Sequence, residues 1–336
     1  MERDSLIKRV NALKDQHFLP LALDIFHYQA TNNPLYAQFL DLLGIKQERV
    51  QQLAHIPFLP IELFKKYKIQ TGHWDPTLVF TSSGTTGSAT SHHLLRDRTF
   101  YRENTRRAFE HFYGKLDHQV ILALLPAYLE REGSSLIFMV EDFIEQSDPE
   151  QGGFFLYNEA DLLARIAAIQ TRNQALAAPL RKQIIVLGVS FALLDLAENH
   201  PGALADVIIM ETGGMKGRRA ELTRPELHAV LGKAFGQENI HSEYGMTELL
   251  SQAYSPGKGI FYPAPTMRVL TREITDPLAL TTTARSGVIN IVDLANLDTI
   301  SFIATEDIGK VYADGSFEIL GRLDAGDVRG CNLLVE

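Results

Sequence analysis

The sequence contains a single cysteine, Cys331, among its 336 residues. One cysteine excludes an internal disulfide framework, so we expect a protein of a reducing, cytoplasmic compartment. Long apolar runs are lacking as well, which argues against a membrane span, since a spanning helix needs about 20 apolar residues. The first ten residues, MERDSLIKRV, include two acidic residues and no apolar stretch of the kind found in secretion signals.

An excess of basic charge is also missing. Lys and Arg number 32 against 41 Asp and Glu, the formal charge is −9, and the basic residues are scattered along the chain. A nucleic-acid partner is therefore not expected, because nucleic-acid sites concentrate positive charge on one face. No His, Cys and Asp residues have the spacing of a structural zinc site. With 45% hydrophobic and 22% charged residues, the composition is that of a globular protein.

Apolar periodicity divides the chain into three segments. Residues 1–70 show helical spacing interrupted at NNP (32–34) and IPFLP (56–60), which predicts two or three helices and an extended crossing segment packed on the body. In residues 71–258, short apolar runs such as QVILALL and QIIVLGV alternate with helical stretches. That alternation predicts an α/β fold with mostly parallel, covered sheets and βαβ crossovers.

Residues 259–336 lose the helical periodicity. The runs MRVLTREI, SGVINIVDL, DTISFIA and GKVYADGSFEIL predict a β-rich C-terminal subdomain of antiparallel strands, with a hairpin turn at Asp314-Gly315. Ligands of α/β sheets bind beyond the carboxyl ends of the parallel strands. We therefore expect the functional motifs of the middle segment at that edge.

A loop rich in Gly, Ser and Thr, FTSSGTTGSATSHH (80–93), follows the apolar run TLVF. Such a loop can direct consecutive backbone N–H groups and hydroxyls at one anion, so it is a candidate phosphate-binding loop. It is not a Walker A motif, because no lysine follows the last glycine, and composition alone equally fits a polar turn. His92 and His93 are candidate donors to a phosphate or a carboxylate, or else ordinary surface histidines.

Three further blocks follow the loop: ETGGMKGRR (211–219), SEYGMTE (242–248) and TEDIGKVYADGSFEILGRLDAGDVRG (305–330). Together with TSSGTTG (81–87), they resemble in sequence and order the motifs of the adenylate-forming (ANL) superfamily of acyl ligases. The blocks span about three quarters of the chain. The resemblance implies the fold of the superfamily's N-terminal domain, with ATP and Mg²⁺ as cofactors. Two departures stand out: the loop lacks the usual lysine, and Glu306 replaces a glycine.

The resemblance also implies roles for individual residues. It implies that the leaving phosphates are bound by Thr81, Ser82, Ser83, Gly84, Thr85, Thr86 and Gly87. In the second block, Gly213 and Gly214 would line the adenine pocket, where glycines allow a flat ring to lie against the backbone, and Lys216 would reach an anion.

In the third block, the resemblance implies that Tyr244, followed by Gly245, stacks on adenine. Thr247 would hydrogen-bond the α-phosphate and Glu248 would hold the Mg²⁺, which prefers oxygen ligands. In the fourth block, Asp307 would accept hydrogen bonds from the ribose hydroxyls, and Arg322 would lie near the ribose and the phosphate.

The chain ends fourteen residues after Arg322. That ending, the segment IPFLPIELFKKYKI and the final DVRGCNLLVE resemble LuxE-type acyl-protein synthetases, in which the usual C-terminal domain of the superfamily is absent. This resemblance implies activation of a long-chain fatty acid or another carboxylic acid, transfer of the acyl group to the enzyme's own C-terminal cysteine, and delivery to a reductase partner similar to acyl-CoA reductases.

Cys331 is the residue that matches this transfer role, and a thiolate attacks an acyl-adenylate readily. A buried structural cysteine is the alternative. Two other functions stay open at this point. One is an acyl- or aryl-CoA ligase, or a carrier-protein ligase, in which Cys331 is structural. The other is a nucleotide-binding subunit that has lost catalysis.

Overall fold

The computed structural model of the protein describes residues 2–82, 90–126, 133–214, 219 and 222–323. Most of the predicted phosphate loop (83–89), Lys216 and Cys331 lie outside the described residues. No helix in the described ranges is long and apolar enough to cross a membrane.

Eight α-helices are found in the described part of the chain. They are α1 (Arg3–Asn11), α2 (Phe18–Asn32), α3 (Pro34–Leu42), α4 (Arg98–Tyr113), α5 (Ser135–Gln146), α6 (Glu159–Ala175), α7 (Ser190–Asn199) and α8 (Arg224–Phe235). Short 3₁₀-helices lie between them, two of which, Ile61–Lys65 and Leu294–Asp298, lie beside the site described below.

Fourteen strands are found in the same ranges. They are β1 (Leu59–Pro60), β2 (Leu78–Thr81), β3 (His92–Leu95), β4 (Gln119–Leu124), β5 (Gly153–Phe155), β6 (Gln183–Val189), β7 (Ile208–Thr212), β8 (His241–Tyr244), β9 (Ala253–Ser255), β10 (Tyr262–Pro263), β11 (Met267–Arg272), β12 (Gly287–Asp293), β13 (Phe302–Val311) and β14 (Phe317–Arg322).

The largest sheet is the predicted α/β body. Its strand order is β10-β9-β8-β7-β6-β4-β5, and the five strands from β8 to β5 are parallel. Helices α5 to α8 connect these strands in βαβ fashion. Strands β4 and β6 are buried almost throughout, as continuous apolar runs in a sheet covered on both faces must be. The predicted fold class is confirmed.

The second sheet contains the predicted C-terminal strands in the order β1-β13-β12-β11, with β14 also paired to β13. Strands β11 to β14 are antiparallel, and the β13–β14 hairpin turns at Asp314-Gly315, where Gly315 has a φ of +84°. Strand β1 is contributed by the N-terminal segment and runs parallel to β13, pairing Leu59 with Ile303. The extended crossing segment thus continues into this sheet.

The position of TLVF differs from the prediction. We expected this run to be one of the strands that alternate with helices in the mostly parallel body. Instead β2 pairs antiparallel with β3, a strand in the stretch SHHLLR, and the two form a separate sheet. Two of the four residues of β3 are histidines, so half of its inward face is polar. For this reason its sequence did not predict a strand. In the sequence, the predicted phosphate loop therefore comes between two antiparallel strands.

One continuous apolar core extends from Leu6 in α1 through Val120 in β4 to Phe317 in β14. Buried polar contacts add to it: Gln29 of α2 donates to the carbonyls of Asn296 and Leu297. The division of the chain at residues 70 and 258 stays a prediction.

Candidate active site

The site begins where β8 ends, at the carboxyl edge of the parallel strands. Tyr244 closes β8 and is buried, with its ring packed edge-on against Phe261 and Phe317 at centroid distances of 5.8 and 5.5 Å. Its hydroxyl donates to the Oδ2 atom of Asp307 at 2.7 Å. This bond joins the third and fourth sequence blocks across 63 residues, and it links the parallel sheet to the antiparallel one.

Arg322 and Asp307 are cross-strand partners on β14 and β13. The Nη2 group of Arg322 donates to Glu306 at 2.8 Å, so the acid that replaces the superfamily's glycine holds the predicted site arginine. Burial raises the pKa of Asp307, while the hydrogen bond from Tyr244 and the positive charge of Arg322 oppose that increase. The carboxylate therefore lies among one donor, two cations, Arg322 and Arg224, and one like charge, Glu306.

Glu248 is buried beside this group, with 6% of its surface exposed. Burial raises the pKa of its carboxyl group, and hydrogen bonding from Ser91 and the charges of Arg322 and Lys65 lower it in part. The backbone carbonyl of Glu248 accepts from Asn296 at 2.7 Å. The backbone of Glu248 is thus held by Asn296, and Ser91, Arg322 and Lys65 only partly offset the effect of burial on its carboxyl group.

His93 holds the backbone of Thr247. Its ring is buried, with Nδ1 at 2.8 Å from the carbonyl of Thr247 and Nε2 at 3.0 Å from the hydroxyl of Thr299. Because a carbonyl only accepts, Nδ1 carries the proton and Nε2 accepts from Thr299. Burial lowers the pKa of His93 to about 4, so the ring is neutral. With both nitrogens engaged, His93 positions Thr247 and is not the phosphate donor that we considered; His92 is exposed.

The described ends of the predicted phosphate loop approach Glu248. Ser82 donates its N–H to the carbonyl of Ser91 at 3.2 Å and accepts from the N–H of Ser91 on its hydroxyl at 2.9 Å. Thr81 donates its N–H to the carbonyl of Gly133 at 2.8 Å. Ser91 also bonds to Glu248, so the loop base and the predicted metal ligand share one residue.

The Gly-rich second block follows β7. Gly213 has a φ of +71°, in the left-handed region that favours glycine, and a Cβ added at Gly214 would meet no atom within 4 Å. Just before them, the hydroxyl of Thr212 donates to Glu243 at 2.5 Å. Burial is the main cause that raises the pKa of Glu243 to about 7. The sequence places Glu243 in the third block, but nothing in the pattern distinguishes it as a buried acid.

The structure therefore brings four of the predicted residues together: Tyr244, Glu248, Asp307 and Arg322. The predicted contacts of Thr81, Ser82, Thr247, Gly213, Gly214 and Gly245 with a nucleotide stay predictions. Ser91 and Lys65 were not assigned from the sequence as members of this group, and His93 was considered only as a donor to a phosphate or a carboxylate. In the sequence, Ser91 and His93 are notable only because they lie close to the loop, and Lys65 only because it lies close to the IPFLP segment. Closeness in sequence does not reveal a contact with Glu248 or Thr247.

No protein-family profile matches the chain, and no curated protein is similar to it in sequence. Solved structures are similar in fold. The crystal structure of 2-hydroxyisobutyryl-CoA ligase in complex with 2-HIB-AMP and CoA has a TM-score of 0.65 at 13% identity, covering 97% of this chain and 72% of that one. The fold is that of the adenylate-forming enzymes.

Two further structures have the same fold. ATP-bound MatB from Rhodopseudomonas palustris has a TM-score of 0.52 at 15% identity, covering 74% of this chain and 49% of that one. MbtA from Mycobacterium smegmatis, solved without ligand, has a TM-score of 0.50 at 18% identity, covering 74% of this chain and 46% of that one. This chain thus spans about half the length of these two proteins.

Proposed function

We propose that this protein activates a carboxylic acid with ATP, forming an acyl-adenylate and pyrophosphate, and then transfers the acyl group to a thiol. The observation that carries the proposal is the hydrogen bond between Tyr244 and Asp307. It unites two sequence blocks that the resemblance assigns to one nucleotide, at the sheet edge where α/β proteins bind ligands.

Within this proposal, Asp307 accepts the ribose hydroxyls on Oδ1, because Tyr244 already bonds to Oδ2. Thr247, fixed through its carbonyl by His93, offers its hydroxyl to the α-phosphate. Arg322 contributes positive charge beside the ribose and the phosphate. Positioning and charge stabilisation account for most of the catalysis in such a reaction, so the protein needs no covalent step to form the adenylate.

Glu248 is the residue that fits Mg²⁺. No group of three or more His, Cys, Asp and Glu side chains in the described ranges forms a complete metal site. That agrees with the way magnesium binds nucleotides, through one or two carboxylates together with phosphates and water. When bound, Mg²⁺ neutralises charge that develops on the pyrophosphate. Ser91 hydrogen-bonds the side chain of Glu248 and Asn296 holds its backbone carbonyl.

The proposed reaction has two steps. A carboxylate oxygen of the acid attacks the α-phosphorus, and the bond from that phosphorus to the pyrophosphate oxygen breaks. A thiolate then attacks the acyl carbonyl carbon, the bond to the AMP oxygen breaks, and a thioester and AMP result. Cys331 is our candidate thiol because it belongs to the final segment that resembles LuxE-type acyl-protein synthetases. The thiol proton passes to solvent.

The finer identity of the reaction rests on that same resemblance. It favours a long-chain fatty acid as the substrate and a reductase similar to acyl-CoA reductases as the partner, within the cytoplasm. Transfer to CoA or to a carrier protein is the second candidate, and it is favoured by the crystal structure of similar fold that contains 2-HIB-AMP and CoA.

The test is exchange of labelled pyrophosphate into ATP, with a panel of fatty, aryl and short-chain acids. We expect exchange that depends on the acid and is lost in Asp307→Ala and Glu248→Ala. Absence of exchange with every acid would overturn adenylation. Intact-mass measurement separates the acceptors: acylation of the wild type but not of Cys331→Ser supports the protein thiol, whereas release of acyl-CoA from both supports CoA.

A further inference from the structure

Arg224 is the first residue of α8, and the sequence around it fixes its backbone. Thr223 and Glu226 form a capping box: the N–H of Thr223 donates to the carboxylate of Glu226 at 2.8 Å, and the hydroxyl of Thr223 accepts from the N–H of Glu226 at 3.4 Å. Pro225 follows in the first turn, where a proline costs no intrahelical hydrogen bond. The side chain of Arg224 therefore starts from a well-defined position.

Arg224 bonds the two sheets of the site to each other. Its Nε atom donates to the carboxylate of Glu211 on β7 at 2.9 Å, and its Nη1 atom donates to the carbonyl of Ile319 on β14 at 3.3 Å. Glu211 is buried and begins the second sequence block, while Ile319 belongs to the fourth. The planar guanidinium can make both bonds at once because its donors point in several fixed directions.

The same guanidinium lies against the aromatic cluster that holds Tyr244. The Cζ atom of Arg224 is 4.8 Å from the centre of the Phe261 ring, a distance at which a cation is attracted to the ring face. Phe261 exchanges two backbone hydrogen bonds with Phe317 of β14, at 2.8 and 2.9 Å, and its ring centre is 5.8 Å from that of Tyr244. One ring therefore separates Arg224 from the tyrosine of the third block.

These contacts connect Arg224 to the second, third and fourth blocks, although it belongs to none of them. We propose that Arg224 is a positioning residue for nucleotide binding, which holds the two sheets in the arrangement that brings Tyr244 to Asp307. The inference rests on the proposed function, and it adds a residue that acts through its contacts with both sheets and not through contact with the nucleotide. In agreement with a place beside this pair, the charge of Arg224 opposes the effect of burial on the pKa of Asp307.

Loss of Arg224 should affect the two halves of the proposed site differently. The nucleoside half depends on the bond between Tyr244 and Asp307, which spans the two sheets. Thr247, proposed to contact the α-phosphate, is held instead by His93 from the separate β2–β3 sheet. A variant without Arg224 should therefore have a higher KM for ATP, with kcat changed by less than about twofold.

Arg106 provides a matched control. It pairs with Asp142, a buried acid, between α4 and α5, and its Nε atom donates at 2.5 Å. The side chains of Arg106 and Arg224 are exposed to a similar degree, 29% and 20%, and in both cases a second basic side chain remains within 3.6 Å of the acid. Replacing either arginine by glutamine removes a cation from a buried carboxylate, so both variants should lose stability.

The experiment compares Arg224→Gln, Arg224→Lys and Arg106→Gln in equilibrium titrations with AMP and ATP, in acid-dependent pyrophosphate exchange and in urea unfolding. For Arg224→Gln we expect AMP and ATP to lose affinity by the same factor, about tenfold, and the KM for ATP to rise. Arg224→Lys keeps the charge but lacks the planar fork that reaches Glu211 and Ile319 together, so its affinity for AMP should be intermediate. Arg106→Gln should unfold at a lower urea concentration and bind both nucleotides like the wild type.

Unchanged AMP affinity in Arg224→Gln would overturn the inference. An equal loss in Arg106→Gln would overturn it as well, because the loss would then follow from lower stability alone. So would a lower kcat with an unchanged KM, which is the effect of a smaller folded fraction. If Arg224→Gln does not fold, wild-type AMP affinity in Arg224→Lys would be the contradicting result.

These failures differ from failure of the proposed function. If the wild type exchanges pyrophosphate and Arg224→Gln has the wild-type KM, only the role of Arg224 is wrong. If the wild type exchanges with no acid while AMP binding depends on Arg224, the positioning role stands and adenylation is wrong. A wild type that binds neither AMP nor ATP would overturn both.

Discussion

The hydrogen bond between Tyr244 and Asp307 offers the sharpest structural test of the site. Tyr244→Phe removes the hydroxyl and keeps the ring, so the packing against Phe261 and Phe317 is retained. A hydrogen bond to a carboxylate contributes more than a neutral one, and this bond is partly buried. We therefore expect the free energy of unfolding to fall by about 1 to 2 kcal/mol.

The same substitution should weaken nucleotide binding. Without its donor, the carboxylate of Asp307 is less well oriented, and its pKa rises further because Tyr244 no longer opposes the effect of burial. We expect ATP, AMP and adenosine to lose affinity by a similar factor, about tenfold, since all three contain the ribose.

Tyr254→Phe is the matched control. The hydroxyl of Tyr254 is also buried, but it has no hydrogen-bond partner in the described part of the chain. Removing an unpaired buried hydroxyl should leave the free energy of unfolding unchanged or raise it. Urea titrations and equilibrium nucleotide titrations measure both variants. If Tyr244→Phe is as stable as Tyr254→Phe and binds AMP equally well, the reasoning about Asp307 is refuted.

Two further predictions concern buried titratable groups. Glu243 has a pKa raised to about 7 by burial, so its contribution to stability is complete below pH 4.5 and is lost as the pH rises through 7. Glu243→Gln should therefore be about 3 kcal/mol more stable than the wild type at pH 8 and similar to it near pH 4, in urea titrations. His93→Leu should lower the free energy of unfolding by about 2 to 4 kcal/mol at pH 8, because the carbonyl of Thr247 and the hydroxyl of Thr299 lose their partner.

The two groups have opposite pH dependences. The pKa of His93 is depressed to about 4, so its contribution is present above pH 6.5 and is lost as the pH falls through 4. Between about pH 4.5 and 6.5 the slopes from Glu243 and His93 oppose each other. In this range, the free energy of unfolding of the wild type should therefore change less with pH than that of either variant. A Glu243→Gln profile that rises and falls with the wild type at every pH would contradict the assignment.

Much of the fold could be predicted because its strands have strong local signals. The apolar runs of β4 and β6 and the Asp314-Gly315 turn specify strands and a hairpin without reference to distant residues. Strand β3 lacked such a signal. Its register with β2 pairs buried His93 with Phe80, whereas the neighbouring His92 is exposed, and two adjacent histidines give no indication of which one faces inward.

The main residues of the site could be predicted from the sequence, but the contacts between them could not. Tyr244 and Asp307 belong to motifs that the resemblance identified, yet their hydrogen bond depends on how two sheets pack. The pairing of Arg322 with Glu306 follows from the register of β13 and β14. Lys65 lies outside the four blocks, and the parallel pairing of β1 with β13 brings its helix alongside the site. Such contacts between distant segments have no local pattern in the sequence.

The most direct test of acyl-adenylate formation follows the carboxylate oxygen. A substrate acid labelled with ¹⁸O in both carboxylate positions is turned over with ATP, and the nucleotide products are analysed by mass spectrometry. Attack on the α-phosphorus leaves the bridging oxygen on AMP when the acyl group passes to the thiol, so AMP should carry one ¹⁸O atom. Unlabelled AMP, or ADP together with ¹⁸O in inorganic phosphate, would contradict the account.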